Sequence, residues 1–396
     1  MMKKRILMTC AALAFATPTL TVRALRTANQ SGAKFLKPFL CAALLFATCL
    51  TLPAQAREVT DALGRTVDIP NTVERVICSG PGCLRLLTYL DAQDMVVGVD
   101  EIEKRPNAVA PRAYAIAHPE YRKLPLIGQH RGRDNPELLL ALDPAPQVIL
   151  KTLSSIGVGH DDLAKQTGLP VVAIDVGDLA SERPAFDSAL RIMGEVIGRE
   201  ARAEEVIDFI NGQIAELGER AARSTVAAPG VFIGGIAFQG AQGFNSTEPL
   251  YPPFDMLGLT NLARKGAPGK GRHSVVAREQ IVAWDPKILF LDLGTVRGKD
   301  VGGLYELRTD AAYQGLTAVA QDNVWGVLPN TLYHIEVGSL LANAWFIGTV
   351  TRPDTFGDVD PVARANEIEK FLVGTPVLDT FNAAYDGLIF QRVPVK

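Results

Sequence analysis

The chain has 396 residues, 47% of them hydrophobic, and a formal charge of −3. The first 56 residues hold seven Lys or Arg and no acid, so the other 340 carry 33 basic against 43 acidic side chains, a formal −10. A chain this acidic argues against a nucleic-acid partner, and its length suits two domains of ordinary size.

Residues 1–56 form a leader with two apolar runs, Ile6–Leu20 and Phe39–Leu52. Lys34 and Lys37 precede the second run and Ala54-Gln55-Ala56 follows it, which is the pattern of a secretory signal peptide cleaved after Ala56. Each run is shorter than the ~20 residues of a spanning helix, which disfavours a two-helix membrane anchor. One explanation of the doubled run is a start site placed too far upstream. Phe46-Ala47-Thr48 before Cys49 makes a poor lipidation site. Three of the five cysteines leave with the leader. Cys78 and Cys83 remain, bound for a compartment where disulfides persist; a disulfide and a pair of buried thiols both stay open.

Glu58–Pro70 has the pattern of a hairpin turning at Leu63-Gly64-Arg65. Val73–Ser79 is a predicted strand running into the glycine loop Gly80-Pro81-Gly82, and a short helix follows at Leu84–Leu90. Next come strand Met95–Val99, helix Pro136–Leu142, strand Val148–Lys151, helix Asp161–Thr167 and strand Val171–Val176. Such alternation predicts α/β layers. From Pro184 to Arg223 the apolar residues recur at helical spacing, with Gly198 breaking the run into two helices. Beyond it the alternation resumes with strand Val231–Ala237, helices near Phe254–Leu257 and at Glu279–Ala283, and strands Ile288–Leu291 and Val324–Leu328. Helices Glu336–Val350 and Pro361–Leu372 close the chain, the last capped by Asp360. The expected organisation is a leader (1–56), a first lobe (57–181), a connecting helical spine (182–224) and a second lobe (225–396).

The two halves echo each other. Asn135-Pro136-Glu137 leads, six residues after the glutamate, to Asp143-Pro144 and then Val148-Ile149-Leu150. Arg278-Glu279-Gln280 leads, six residues after its glutamate, to Asp285-Pro286 and then Ile288-Leu289-Phe290. Matched spacing and matched polar anchors favour two related lobes over a chance recurrence of helix, turn and strand.

The ordered set TDALGRTVDIP-x-x-VERVI, VVGVD, NPELLLALDP, VAREQIVAWDP and NAWFIGTVTRPDTFGDVDP resembles the periplasmic substrate-binding proteins of ABC importers for iron chelates, haem and cobalamin. The resemblance covers the chain after the leader and is nearest to the metal-chelate receptor branch. It implies two Rossmann-like lobes, each with a central sheet, joined by a long helix with the ligand cleft between them. It also implies a monomer in the periplasm, with no intrinsic cofactor, that hands its ligand to a dimeric permease of the inner membrane. Modest closure is expected, because a helical joint is stiff. Glu137 and Glu279 stand where relatives carry the acids that pair with permease arginines. An exposed pair contributes ~1 kcal/mol or less, so geometry must supply the recognition.

The loops before those glutamates, Gly128–Asp134 and Gly266–Ser274, are glycine-rich and basic within an acidic chain. Arg and Lys beside a groove favour an anionic ligand, and Arg grips paired oxygens. The expected ligand-binding residues are Gln129, His130, Arg131, Phe244, Tyr251, Arg272, His273, Tyr333 and His334. In relatives the residues six before each glutamate are often aromatic. Here they are Arg131 and His273, which favours a smaller charged chelate over a flat corrin or porphyrin. Imidazole suits nickel, copper or zinc, but His130, His273 and His334 lie on separate loops, so no metal site is assigned. The expected cargo is an iron chelate of siderophore type, with nickel or cobalt chelates, cobalamin and haem as alternatives. No Gly-x-Ser-x-Gly, His-Glu-x-x-His or phosphate loop occurs, so no catalytic residue is assigned; a metal chelatase on a related scaffold is the competing enzyme class.

Overall fold

A computed structural model of the chain describes residues 56–106, 111–238, 240–265, 273–296, 300–329 and 331–396. Residues 1–55 of the leader and Arg272 lie outside the described residues. Residues 54–396 form one compact unit, and no helix among the described residues is long and apolar enough to cross a membrane.

Strands β1 (Ala56–Thr60) and β2 (Thr66–Pro70) pair antiparallel, in the register Thr60 opposite Thr66 that the Gly64 turn imposes. The chain then enters a parallel sheet through β3 (Val76–Ser79), every residue of which is buried. Helix α1 (Cys83–Tyr89) follows, and then a side sheet of β4 (Val99–Asp100), β5 (Leu126–Gln129) and β6 (Arg133–Asp134). Helix α2 (Ala113–Ala117) lies between β4 and β5. Helix α3 (Pro136–Leu140) is capped by Asn135, whose side chain accepts from the amides of Glu137 and Leu138. It leads into β7 (Val148–Thr152) and then β8 (Val171–Ile174), giving the sheet order β3-β7-β8. The second half builds the same object from β9 (Val231–Gly234), β12 (Ile288–Asp292) and β13 (Val324–Val327), with β12 in the centre. Between them lies the short pair β10 (Ser246–Thr247) and β11 (Ser274–Val275). The sequence echo therefore has a topological meaning: each repeated helix–Asp-Pro–strand unit supplies the central strand of a three-stranded parallel sheet. Buried on both faces, such strands are continuously apolar rather than alternating.

The spine differs from the expectation in one respect. Helix α4 (Arg183–Ile197) ends at Gly198, whose φ of 69° suits a glycine cap, and α5 (Glu200–Arg223) then doubles back along it. The pairs Arg191–Glu204 and Arg183–Asn211 fix that antiparallel register. Only α5 runs from one half to the other. At 24 residues it is about 36 Å long. Near its start Arg202 donates to the carbonyl of Tyr89, and near its end Arg220 donates to the carbonyl of Thr355.

The last two long helices join the halves further. In α6 (Val337–Thr351) all residues but Thr349 and Val350 are buried, as suits a helix apolar all round. Helix α7 (Pro361–Val373) packs against α6 on one side and against α1 and α2 of the first half on the other. One continuous core consequently runs from Val59 to Phe390. Helix α7, within the segment 225–396, thus packs back onto the first half.

Candidate functional site

The carboxyl ends of both parallel sheets face one cavity of about 720 Å³. Pro81 follows β3, Ser154 and Ile156 follow β7, Phe238 follows β9, Gly294 follows β12, and Thr331–His334 follow β13. Open α/β sheets place ligands at these strand ends, where loops leave the backbone.

The first-half wall is polar and cationic. Arg105, His130, Arg131 and Ser154 line it beside Ile102 and Ile156. Glu101 holds two of these groups: it pairs with Arg105 at 2.7 Å and with His130 at 3.3 Å. The Arg105 hydrogen bond, helped by His130, keeps the Glu101 carboxyl below its ordinary range. Arg131 has a left-handed φ of 64°, and its guanidinium has no partner among the described residues. Behind this wall Lys151, 1% exposed, donates to Asp134 and to the carbonyl of Gly132, which fixes the 130–133 loop to the central strand. Gly80 permits a close approach here: a Cβ on it would stand 2.2 Å from the Ser155 hydroxyl.

The second-half wall is apolar and includes Ala237, Phe238, Ala241 and Leu332. Phe238 is 42% exposed. One of its faces stacks on His273 at 4.6 Å between ring centres and 12° between planes. Burial keeps the His273 imidazole below its ordinary pKa, so it is a neutral backing ring near pH 7. Tyr333 and His334 sit on the floor with φ of 61° and 110°. The Tyr333 hydroxyl donates to Asp100 at 2.5 Å and accepts from the Arg131 amide at 2.6 Å.

Of the nine residues expected to bind ligand, His130, Arg131, Tyr333 and His334 line the cavity. His273 stands behind Phe238 rather than on the wall. Gln129, on β5, opens onto an outer groove shared with Glu137 and not onto the cavity. Phe244 and Tyr251 are core residues, at 0% and 1% exposure. Phe244 packs edge-on against Phe232 and Tyr313, and the Tyr251 hydroxyl accepts from Asn343. An aromatic side chain with a core to fill gives up more water-exposed area there than on a wall, which overrides its place in a loop. Glu137 and Glu279 are both exposed in the first turns of their helices, and Glu279 pairs with Arg278 at 3.2 Å. Cys78 and Cys83 are joined by a disulfide with Cα atoms 5.4 Å apart, which closes the loop bearing Pro81. Among the described residues no three His, Cys, Asp or Glu side chains converge as a metal site.

Phe238, Arg105 and Ser154 lie outside the expected set. Phe238 follows a predicted strand directly and Ser154 lies three residues past the end of another, so the strand-end rule would have pointed to them. Arg105 follows a 3₁₀ turn whose position no periodicity betrays.

The periplasmic binding protein family model matches residues 76–330. The chain belongs to that family, whose members bind small molecules in the periplasm and work with an ABC permease. It is 24% identical over 363 residues to the molybdate-binding protein MolA of Haemophilus influenzae, covering 84% of this chain and 95% of that one. A solute-binding protein from Veillonella parvula superposes with a TM-score of 0.65 at 19% identity, covering 86% of this chain and all of that one. The molybdate-bound structure of MolA gives 0.61 at 20% identity, over 81% and 98% of the two chains.

Proposed function

We propose that this protein captures an anionic metal chelate of ferric-siderophore type in the periplasm and delivers it to an inner-membrane permease. The observation that carries the proposal is the cavity at the two sheet ends, about 720 Å³ in volume, with Arg105, His130 and Arg131 on one wall and Phe238 on the other. That volume lies within the roughly 300–1,000 Å³ of pockets that enclose organic ligands. A bare tetrahedral oxyanion has five heavy atoms and would leave most of it to water. The cationic wall suits the ligand oxygens, and the free face of Phe238 suits an apolar or ring-bearing part of the chelator. Glu137 and Glu279, one on each half and both exposed, serve as the permease-docking pair.

The similarity to a protein named for molybdate supports a second assignment, an oxyanion held by Arg131 and Ser154. Calorimetric titration with ferric tris-catecholate, ferric trihydroxamate, haem, cobalamin, nickel-histidine and molybdate separates the two. Stoichiometric binding of an anionic ferric chelate, well above the affinity for molybdate, is the expected result. Tight binding of molybdate alone would replace the first assignment by the second.

A further inference from the structure

Beneath the cavity floor lies a group of buried ionisable side chains that ligand capture as described leaves unused. Arg85 donates to Glu336 and to the carbonyls of Leu332 and Ile335. Arg112 pairs with Glu103 at 2.9 Å, and the Tyr114 hydroxyl donates to the same carboxylate at 2.8 Å. These two ion pairs are almost fully enclosed, with no side chain more than 3% exposed. Two further acids, Asp100 and Glu369, are buried at 6% and 3% exposure and form no ion pair among the described residues. The two arginines are already matched, so each extra carboxylate would be a net buried charge, which is costly in a region short of water.

Asp100 is the one of these acids that is hydrogen-bonded to a cavity-lining residue, Tyr333. It caps a 3₁₀ turn by accepting from the Ile102 amide, and its other oxygen accepts from Tyr333. Tyr333 in turn accepts from the Arg131 amide. Three groups from three segments thus form one chain from a buried acid to a cavity-wall arginine. Arg131, Tyr333 and His334 all hold positive φ, a conformation that non-glycine residues keep only when their surroundings impose it. The Ile156 amide, donating to the Arg131 carbonyl at 2.9 Å, completes the hold on that residue.

We propose that Asp100 is a positioning residue of the ligand site: through the Tyr333 hydroxyl it sets Arg131 in the cavity wall, and it takes up a proton as an anion binds. The proposal rests on the assignment of an anionic ligand to this cavity. An anion at Arg131 lies two hydrogen bonds from Asp100, and two negative charges in that space repel. With the carboxyl protonated the repulsion is gone. Asp100 then donates its proton to the Tyr333 oxygen, and the Tyr333 hydroxyl is free to direct its own hydrogen into the cavity toward the ligand. Burial, reinforced by the Glu103 charge and opposed by the Tyr333 and Ile102 hydrogen bonds and by Arg112, pushes Asp100 up to about 7. Proton uptake therefore falls in the neutral range. Tyr333 and Tyr114 are held above the ordinary phenol range by burial and so stay protonated throughout. By linkage, whatever the proton does for the anion the anion does for the proton, so affinity rises as pH falls through the neutral range. His130, His273 and His334 also stand near the cavity, and the test must separate them from Asp100.

The test is calorimetric titration of molybdate and of a ferric tris-catecholate from about pH 6 to about pH 8.5, in buffers of different ionisation enthalpy, with folding checked by circular dichroism. The wild type should take up at most about half a proton per ligand at pH 7, rising toward one at the alkaline end, where its affinity should gain up to about tenfold per pH unit of acidification. Asp100→Asn should abolish both the uptake and the slope. Tyr333→Phe, which keeps the ring and removes the link, should flatten the slope and weaken binding throughout. A slope that survives in Asp100→Asn but vanishes in His130→Asn or His334→Asn overturns the proposal, as does a wild type whose affinity ignores pH. Should Asp100→Asn not fold, an unaltered slope in Tyr333→Phe overturns it equally. A wild type that binds neither probe nor any other anion overturns the capture assignment and this proposal together.

Discussion

The two walls of the cavity come from halves built on one plan, yet they are chemically unlike. Each half has a three-stranded parallel sheet whose central strand follows a helix bearing an exposed glutamate. On the first half the cavity is lined by Arg105, His130, Arg131 and Ser154 beside Ile102 and Ile156; on the second it is lined by Ala237, Phe238, Ala241 and Leu332, with Thr331, Tyr333 and His334 at the floor. What the halves share lies in strands and helices, and what differs lies in loops. Under the proposed function, shared features suit a permease that meets both halves alike. Unshared ones serve a ligand with unlike ends.

The largest effect should come from the shared pair. Glu137→Ala combined with Glu279→Ala should abolish uptake in cells carrying the cognate permease, with ligand affinity unchanged in titration. Normal uptake by the double variant would break the link between symmetry and docking. The unshared walls come next. Arg131→Ala removes a charged donor, worth ~1.5–3 kcal/mol or about 10- to 150-fold in affinity, for any anion. Phe238→Ala should cost a few-fold to about tenfold for a ring-bearing chelate and nothing for molybdate. Equal losses on both ligands in both variants would show that the walls do not divide the work.

The smallest effect concerns the region where the halves merge. Burial, with the Glu336 charge added, pushes Glu369 up to about 8. In the unfolded chain the same group titrates near 4.5. The folded state thus binds the extra proton, so stability is fullest below the unfolded value and is lost as pH rises toward about 8. Glu369→Gln should flatten the fall of the melting temperature across that window. An unchanged fall would place the pH sensitivity elsewhere.

The strands of the two parallel sheets were legible in the sequence because strands buried on both faces are short, β-branched and continuous, whereas the short strands β5, β6, β10 and β11 were not, and the strand expected at Met95–Val99 begins only at Val99. The helix break at Gly198 was legible too, since a glycine after an apolar helical run marks an end. The direction taken after it was not. The fold-back of α4 on α5 depends on which surfaces pack, and on pairs such as Arg191–Glu204 that lie 13 residues apart in sequence. Among the candidate site residues, His130 and Arg131 could be placed from the echo, because a basic loop just before a sheet's central unit has few places to go. Phe244 and Tyr251 misled because an aromatic residue in a predicted loop has no local mark that separates wall from core. Phe238 was passed over although it directly follows a predicted strand.

By itself the sequence determined the α/β alternation, the repeated Glu-to-Asp-Pro unit on either side of a long helix, and an acidic chain with two basic glycine-rich loops. These depend on local periodicity and composition, which neighbours in sequence express directly. Only the tertiary structure decided that α7 returns to the first half, that Phe238 and not His273 faces the cavity, and that Asp100, Tyr333 and Arg131 form one chain. Residues 100 and 333 meet because two sheets and the returning helices share one core, and burial of that core is a property of the whole chain that no window of sequence contains.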